Sequence, residues 1–463
     1  MLKLNWRLAS MFALVGVSAV TSDAHAAGFG LRLDSPKAIG LSNAGKGATV
    51  GDVTTMFANP ATQAFATNHE VSLGATAVKP SIKFKKKSGT HTTGVALTGG
   101  NGGDAGKWAG VPNFYALWNY SPKLKWGLSV TSPFGLETDY NKKWVGRYYA
   151  TNSKMMTVDI NPSFAWKQNE WLSWGGGMSF QYANVSLRRN VDFGLIARGI
   201  AAGFPTPFRA AAISASKPQM QDGRSRVTGD DWGVGFNGGI MLRPLKGTDL
   251  GISFRSRVRY KLKGRIRFSH LSNDLFNNSA AFGPGLANTL RNTLGFVNQK
   301  ATAKLTTPES LSFDFTQRLS DDLKLLGSAT WTRWSRFKEL RIRYKESNLA
   351  DTREEQKWRN QWFYALGLSW DINKEFTARV GAAFDQSPIK NKYRYPSIPD
   401  QDRTWASAGM TWNAMQNMTV NLAYAHEFVR KASIDRIDQF KGQLKGRIRG
   451  NVHLGSLNVT YKF

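Results

Sequence analysis

The side chains that most often carry out chemistry in proteins are sparse and scattered in this sequence. The 463 residues include no cysteine, which excludes disulfides, thiolate catalysis and cysteine-ligated metal sites. No G-x-S-x-G motif occurs, and the dinucleotide-like stretch 233–238 lies in a predicted strand with no helix after it, so a phosphate cradle cannot form. Five histidines lack metal-ligand spacing: His69, His91, His270, His426 and His453. We therefore expect no enzymatic activity, no metal and no cofactor.

The strongest pattern is one of charge. The chain has 62 Lys and Arg against 32 Asp and Glu, a formal charge of +30, which by itself would also suit nucleic-acid binding. Shorter basic rows occur at 83–87, 341–345 and 445–449. The longest row occupies alternate positions and is predicted to share one strand face: Arg255, Arg257, Arg259, Lys261, Lys263, Arg265 and Arg267.

The N-terminus predicts export. Lys3 and Arg7 precede an apolar run at 8–20, and the small-x-small sequence 24–26 follows, as in a signal peptide. A retained membrane anchor is the alternative, but the apolar run is short for that role. We expect residues 1–26 to be removed and the mature chain to start at Ala27, and export argues against nucleic acid as a partner.

The elements that must position the charges are predicted to be strands. After residue 20 no apolar run approaches the roughly 20 residues of a membrane helix. The C-terminal strand has a two-residue period, with Leu457, Val459, Tyr461 and Phe463 on one face, as lipid-facing barrel strands do. Upstream the apolar positions become even-numbered, which predicts a bulge or bend near Gly455.

Short and long connections alternate along the chain. The short polar turns fall at 121–123, 168–170, 244–247, 320–322, 373–375 and 414–417. The longer stretches fall near 87–107, 138–152, 190–228, 269–300, 344–357, 388–403 and 435–441. This alternation predicts an all-β fold, a transmembrane antiparallel barrel of about 14 strands over 69–463, with twelve or sixteen as alternatives.

Two further features fit a barrel. Tryptophans near predicted strand ends, Trp334 and Trp405 among them, predict interfacial girdles, with core packing as the alternative. A barrel of about 14 strands is too wide for its own side chains to fill. Residues 27–68 lack strand alternation, and we predict that they plug the lumen.

Several motifs resemble those of the FadL-type outer-membrane long-chain fatty acid transporters. They are Ala27-Gly28-Phe29, the stretch 40–48, Asn59-Pro60-Ala61, 232–237, 260–264, Pro308-Glu309, 334–337 and 398–403. The resemblance spans essentially the whole mature sequence. It implies a Gram-negative outer-membrane barrel with an N-terminal hatch, capture of a hydrophobic ligand outside, an internal pocket, and lateral release beside a kinked third strand. Relatives of this type also carry monoaromatic hydrocarbons, so the substrate stays open.

The predicted kink is the segment Ser132, Pro133, Phe134 and Gly135. Pro133 has no N–H to donate and Gly135 follows it inside a strand-like segment, so a gap in the hydrogen-bond ladder must occur there. A strand that ends in a turn is the alternative, and the resemblance favours a lateral opening. The hatch motif Asn59, Pro60 and Ala61 is implied to lie in the lumen near that opening, or else to form a surface turn.

The resemblance also implies contacts with a ligand. Its carboxylate would be held by Arg189 and Lys357, with Arg353 or Arg359 as alternatives to Lys357. Apolar, helix-like spacing in loops 190–228 and 269–300 predicts a capture groove, or loop packing without ligand. The candidate groove residues are Phe204, Leu271, Leu275, Phe276, Phe282 and Phe296.

The basic rows have two interpretations. They would form a funnel for anionic ligands, or neutralise lipopolysaccharide phosphates and lumen acids, which we prefer for most of them. The expected partners are a hydrophobic small molecule, lipopolysaccharide and outer-membrane lipids, and the protein is expected to be a monomer. The predicted function is diffusion of long-chain fatty acids across the outer membrane, with aromatic hydrocarbons, a general porin or an outer-membrane lipase as alternatives.

Overall fold

The structure is a computed structural model that describes residues 28–269, 290 and 293–463. The predicted signal peptide, 1–26, and Ala27 lie outside the described residues. Among the residues described, no helix has the length and apolar character needed to cross a membrane.

The described residues form one closed antiparallel β-sheet, in which the first and last strands pair along their length. The strands are β1 Glu70–Thr90, β2 Ala109–Asn119, β3 Leu124–Thr131, β4 Gly135–Asp139, β5 Asn152–Lys167, β6 Leu172–Asp192, β7 Asp222–Leu245, β8 Thr248–Arg255, β9 Arg259–Ser269, β10 Gln299–Thr306, β11 Ser310–Arg318, β12 Leu323–Thr332, β13 Glu339–Tyr344, β14 Thr352–Glu355, β15 Gln361–Asp371, β16 Phe376–Asp385, β17 Arg403–Met415, β18 Met418–Asp438 and β19 Gly442–Lys462. Five wall strands are each interrupted once, as β3/β4, β8/β9, β10/β11, β12/β13 and β14/β15. The wall therefore has 14 antiparallel strands, and the predicted fold class is confirmed.

The residues before β1 fill the lumen as a hatch. They form α1 Pro36–Gly40 and two 3₁₀ helices, Val53–Phe57 and Pro60–Phe65. Hydrogen bonds fix the hatch to the wall: Gly45 N donates to Ser328 Oγ at 2.8 Å, and Tyr115 Oη donates to the Asp34 carbonyl at 2.7 Å. A polar lumen and a polar hatch can satisfy one another in this way without a continuous apolar core.

The two faces of β19 exchange polarity along its length. In β19 the even-numbered residues face inward throughout, both apolar Val452 and Leu454 and polar Ser456 and Asn458. Pairing with β1 runs through Gly455 without a register shift, so the predicted bulge there is wrong. Within the membrane the apolar side chains of β19 are the odd-numbered ones, which face lipid. Above the membrane they are the even-numbered ones, which face an enclosed core. The shift from odd to even positions in the sequence therefore reflects a change of surroundings along a regular strand.

An extension of the barrel above the membrane has its own apolar core and carries two helices, α2 Phe193–Ala202 and α3 Thr206–Ala215. Two shorter 3₁₀ helices, Trp334–Arg336 and Asn391–Tyr393, lie in connections between strands. Trp334 and Trp405 are buried inside the molecule, so the girdle interpretation was wrong for these two, whereas tryptophans such as Trp118 and Trp370 are exposed on the wall.

The longest basic row is divided between two sites. The strand is interrupted at 256–258, after which Arg259 to Arg267 are exposed on alternate positions of β9. Arg255 lies before the interruption and is turned into the lumen, where Nη1 is 3.9 Å from Asp159 Oδ2. The prediction that all seven cations share one face is therefore wrong for Arg255, because the break in the strand resets the alternation.

Candidate functional site

An apolar cavity of about 100 Å³ lies inside the extension, above the hatch. Its apolar lining residues are Phe29, Leu136, Met155, Val185, Leu187, Val227, Leu262, Leu305, Phe337, Leu340, Ile342 and Ile398. They come from the hatch and from seven or more strands, so the cavity exists only when the barrel is closed around it. Pockets for small molecules commonly measure roughly 300 Å³ or more, so a long-chain ligand requires side chains to move.

One end of this cavity is polar. Arg189 Nη2 donates to Thr352 Oγ1 at 3.2 Å, and Thr352 Oγ1 is 2.8 Å from the Tyr344 hydroxyl. In the described part of the chain no carboxylate lies within 4.0 Å of the Arg189 guanidinium. A half-buried arginine beside two hydroxyls and without an acidic partner is suited to hold a carboxylate.

A second charge pair closes that end. Glu354 lines the cavity, and Lys441 Nζ lies 3.4 Å from its Oε1 and 3.6 Å from Asp438 Oδ2. Burial lowers the pKa of the Lys441 ammonium. Glu354 is thus already neutralised by this chain. Lys154 also lines the cavity and pairs with Glu137 at 2.7 Å, so among the described lining residues Arg188 and Arg189 are the cations with no carboxylate within 4.0 Å.

Lys357 lies outside the residues that line this cavity. It is half exposed and pairs with Glu355, whose Oε2 lies 3.1 Å from Lys357 Nζ. Hydrogen bonding to Glu355 raises the pKa of the Lys357 ammonium. The alternatives are paired as well, since Arg353 contacts Glu339 at 2.6 Å and Arg359 lies 3.9 Å from Asp402.

Phe29 of the hatch forms one wall of the cavity and is the centre of an aromatic cluster. Its ring centroid lies 4.6 Å from that of Trp334, 5.6 Å from Trp358, 5.7 Å from Phe337 and 5.9 Å from Phe134. The cluster joins the hatch, the kink and the connections on either side of β13 and β14. Any ligand that enlarges the cavity on this side meets the Phe29 ring first.

The backbone of Phe29 to Leu31, the N-terminal segment, pairs with the predicted kink. Gly135 N donates to the Phe29 carbonyl at 2.9 Å, and Leu31 N donates to the Pro133 carbonyl at 2.8 Å. A Cβ at Gly135 would lie 2.9 Å from Leu31 Cδ1, so this glycine gives the hatch room to approach. The interrupted strand therefore has a hatch segment as its neighbour where a wall strand is missing.

The wall is unpaired beside the kink. β3 pairs with residues 114–119 of β2. β4 pairs with β5 and, among the described residues, has no pairing with β2. Residues 109–113 of β2 pair with β1 on their other side. Pro112 lies in this stretch, and both amide atoms of Asn113 are buried without a hydrogen-bond partner in the described structure. The ladder gap predicted at Ser132 to Gly135 is thus present in the pairing.

The hatch motif contacts a different part of the wall. Asn59 Oδ1 accepts from Ala61 N at 3.0 Å, while Nδ2 donates to the Gly47 and Ile240 carbonyls at 2.8 and 3.2 Å. Ser173 Oγ donates to the Ala61 carbonyl at 2.9 Å. A Cβ at Gly239 would lie 2.1 Å from Asn59 Oδ1, so glycine is required there. These contacts join Asn59, Pro60 and Ala61 to β6 and β7, whereas the N-terminal segment contacts the kink.

A buried ionic cluster holds the start of the hatch, and sequence reasoning missed it. Asp400 Oδ2 accepts from Gly28 N at 3.0 Å and from Ser387 Oγ at 2.6 Å, while its Oδ1 lies 2.5 Å from Arg403 Nη2. Arg403 Nη1 lies 2.7 Å from Glu427 Oε2. The motif 398–403 is visible in the sequence, but which group Asp400 binds depends on contacts between residues far apart in the chain.

The predicted capture groove is described only in part. Leu271, Leu275, Phe276 and Phe282 lie outside the described residues. Phe204 and Phe296 pack against one apolar cluster of the extension with Phe193 and Leu290, and the Phe193 and Phe296 rings are 5.3 Å apart. Phe208 on α3 is exposed. The described part therefore joins residues of the two predicted loops without showing the groove itself.

Fold and site together define an outer-membrane β-barrel with a hatch and an enclosed apolar cavity. The family model described as "Outer membrane protein transport protein (OMPP1/FadL/TodX)" matches residues 17–463. The chain belongs to this family, whose members are transport proteins for hydrophobic compounds of the Gram-negative outer membrane.

Individual relatives match over nearly their full length. A protein of Neisseria meningitidis serogroup B named as an outer membrane protein is 31% identical over 465 residues, covering 97% of each chain. The long-chain fatty acid transport protein of Escherichia coli K12 is 27% identical over 456 residues, again covering 97% of each. The crystal structure of a Pseudomonas aeruginosa FadL homologue superposes with a TM-score of 0.83 at 26% identity, covering 94% of this chain and 100% of that one.

Proposed function

We propose that this protein takes up long-chain fatty acids by diffusion through the cavity and out of the barrel wall beside the kink. One observation carries the proposal: Phe29 lines the cavity with its side chain and hydrogen-bonds the kink with its backbone. A ligand that displaces the ring pulls on the segment that is hydrogen-bonded to the kink. Binding in the cavity and opening of the wall would then be one movement.

The polar end of the cavity supports a fatty acid over a hydrocarbon. A carboxylate needs a cation in an apolar enclosure, because burial of an unpaired charge is costly. Arg189 meets that need, while a hydrocarbon would gain nothing from it. Capture of the ligand by a groove between loops 190–228 and 269–300 would precede entry, and Phe204 and Phe296 are the described candidates for its wall.

We propose that lipopolysaccharide and other outer-membrane lipids surround and contact a monomeric protein. A general porin is the less favoured function, because the hatch is hydrogen-bonded to the wall at several heights. No arrangement in the described residues supports a lipase in preference to transport.

The head-group assignment can be tested with one substitution in the purified protein. Arg189→Gln removes the charge and is expected to weaken oleate binding about tenfold or more, since hydrogen bonds to charged groups contribute about 1.5–3 kcal/mol. Binding would be measured by titration with labelled fatty acid, and toluene uptake would be measured in parallel.

The matched control is Lys357→Gln, which removes a charge outside the cavity lining. It should leave oleate affinity within about twofold, because charged side chains away from a ligand contribute little through water. Equal loss in both variants would show that general charge attracts the ligand. Unchanged oleate binding in Arg189→Gln would overturn the assignment of Arg189 to the carboxylate head group.

A further inference from the structure

One outward surface of the extension carries a dense group of positive charges that the ligand cavity does not use. We call it the basic surface, and its nine exposed cations lie on β7, β9, β10 and β13: Arg226, Arg259, Lys261, Lys263, Arg265, Arg267, Lys300, Lys304 and Arg343.

The basic surface faces away from the cavity. On β9 the alternate residues Tyr260, Leu262 and Ile266 are buried, and Leu262 lines the cavity. Successive side chains of a strand point to opposite faces. The cations of β9 therefore point outward from the barrel and cannot contact a ligand held inside.

Like charges stand directly opposite one another on this surface. The register places Lys261 opposite Lys304, Arg265 opposite Lys300, and Arg226 opposite Arg267. Such pairs destabilise a sheet. Burial and the neighbouring Arg188 and Arg267 lower the pKa of Arg226, as expected where cations crowd together.

The described part of the chain offers this surface little compensation. Lys300 pairs with Glu346 at 3.1 Å. For the other eight side chains, no carboxylate among the described residues comes within 4.0 Å of a charged nitrogen. Among the described residues this repulsion is therefore mostly uncompensated, as expected for a surface that binds an anion from outside the chain.

The height of the basic surface identifies the anion. On β7 the outward residues Phe236, Val234 and Trp232 are exposed and apolar, and they end in an aromatic side chain as lipid-facing strands do at the membrane surface. Two residues further along β7, Asp230 lies in register with Lys263. The cations thus begin where the lipid-facing stripe ends, at the level of lipid phosphates in the outer leaflet.

We propose that the basic surface is a binding site for the lipid A phosphates of lipopolysaccharide. Phosphate groups would sit between opposed cations such as Lys261 and Lys304 and convert their repulsion into shared attraction, while the acyl chains pack on Trp232 and the apolar stripe below. The inference gives a site to the proposed contact with lipopolysaccharide. It rests on the outer-membrane location and is independent of the uptake route, so failure of either leaves the other standing.

The test compares two triple variants of the full-length protein in detergent. Lys261→Gln/Lys263→Gln/Lys304→Gln removes three charges from the basic surface. Lys123→Gln/Lys246→Gln/Lys374→Gln removes three exposed lysines from the short turns at the opposite end of the barrel. Binding of purified bisphosphorylated lipid A is measured for both variants and for the unaltered protein, together with lipid A freed of its phosphates and with inorganic phosphate as competitor.

Each lysine near an anionic lipid surface contributes about fivefold to affinity, so we expect the basic-surface variant to bind bisphosphorylated lipid A at least tenfold more weakly. The control variant should stay within about twofold, and the dephosphorylated lipid should bind both equally weakly. Inorganic phosphate that binds as strongly as lipid A would assign the site to free phosphate and overturn the proposal.

Two further results would also overturn it. Equal lipid A affinity in both variants would show that the basic surface is not the site. Unchanged lipid A affinity combined with slower oleate capture would assign these cations to steering of the cargo. Oleate binding at equilibrium reports whether the basic-surface variant is folded, since none of its three positions lines the cavity.

Discussion

Phe29 connects two sites that the sequence presents as separate. Its ring belongs to the cavity wall and its carbonyl accepts a hydrogen bond from Gly135. A cavity of about 100 Å³ cannot hold a long acyl chain while the ring stays in place. The cost of moving the ring is therefore part of every binding event, and the same movement disturbs the pairing at the kink.

Phe29→Ala should consequently tighten oleate binding. Aromatic pairs contribute about 0.5–1.5 kcal/mol each, and the substitution removes several of them before the ligand arrives, so about a tenfold gain in affinity is expected. Fluorescence titration of the purified protein would measure it, with Phe254→Ala on the lipid-facing wall as the control. Weaker binding in Phe29→Ala would mean that the ring remains as part of the wall around bound ligand.

Single residues also mark the limit of prediction from sequence. Arg189 was identified because a resemblance pointed to it, and the structure gives it a setting that suits a carboxylate. The role of Asp400 cannot be predicted from its motif, because its partners Gly28 and Ser387 lie at other points of the chain. Local spacing specifies which face a side chain takes, whereas it carries no information about which distant group meets it.

The kink is best understood as an exchange of pairing partners. Pro133 lacks the donor that a wall strand requires, and the hatch supplies backbone partners at Phe29 and Leu31 instead. The sequence could predict the interruption, since it follows from proline chemistry. It could not predict that the hatch would fill the resulting gap.

A disulfide between the N-terminal segment and the kink would test whether they must separate. Gly30 and Phe134 form an antiparallel bridge pair, and directly opposed Cα atoms lie about 4.5–5.5 Å apart, within the range of disulfides. The chain has no native cysteine. Oxidised Gly30→Cys/Phe134→Cys should lose oleate uptake in cells almost completely. Reduction of the disulfide should return oleate uptake to the rate measured for the same variant before oxidation.

A second disulfide serves as the control for oxidation itself. Ser81→Cys/Asn451→Cys joins β1 and β19, which pair continuously at that position and have no part in the proposed route. Oxidation of this variant should leave uptake unchanged. If oxidised Gly30→Cys/Phe134→Cys still transports oleate, separation of these two segments is excluded as a step in release.

At the scale of the whole molecule, the membrane surface explains why polarity patterns were partly misread. Below that surface the apolar side chains of β19 face lipid, and above it they face an enclosed core, with no change in the strand itself. The number of strands could be predicted because turns and two-residue periods are local. The inversion could not, because it depends on where the chain leaves the membrane.

Within the membrane-spanning part of the barrel, the hatch fills the described lumen and is the barrier there to polar solutes. The hatch forms hydrogen bonds with wall residues such as Ser328 and Ser173. Other polar side chains of the wall, among them Asn458 and Thr460, also face the lumen. Deletion of residues 28–66 should leave a closed barrel with a wet, polar interior, since strand pairing satisfies the wall backbone without the hatch. Liposomes that contain the intact protein should not swell with arabinose, whereas liposomes that contain the deletion variant should swell within minutes, as expected for a lumen wider than that of an eight-stranded barrel.

The resistance of the β-barrel to unfolding by detergent at room temperature would show that the variant is folded. Swelling with the intact protein would instead favour a general porin, because polar solutes would then pass a hatch that is still in place.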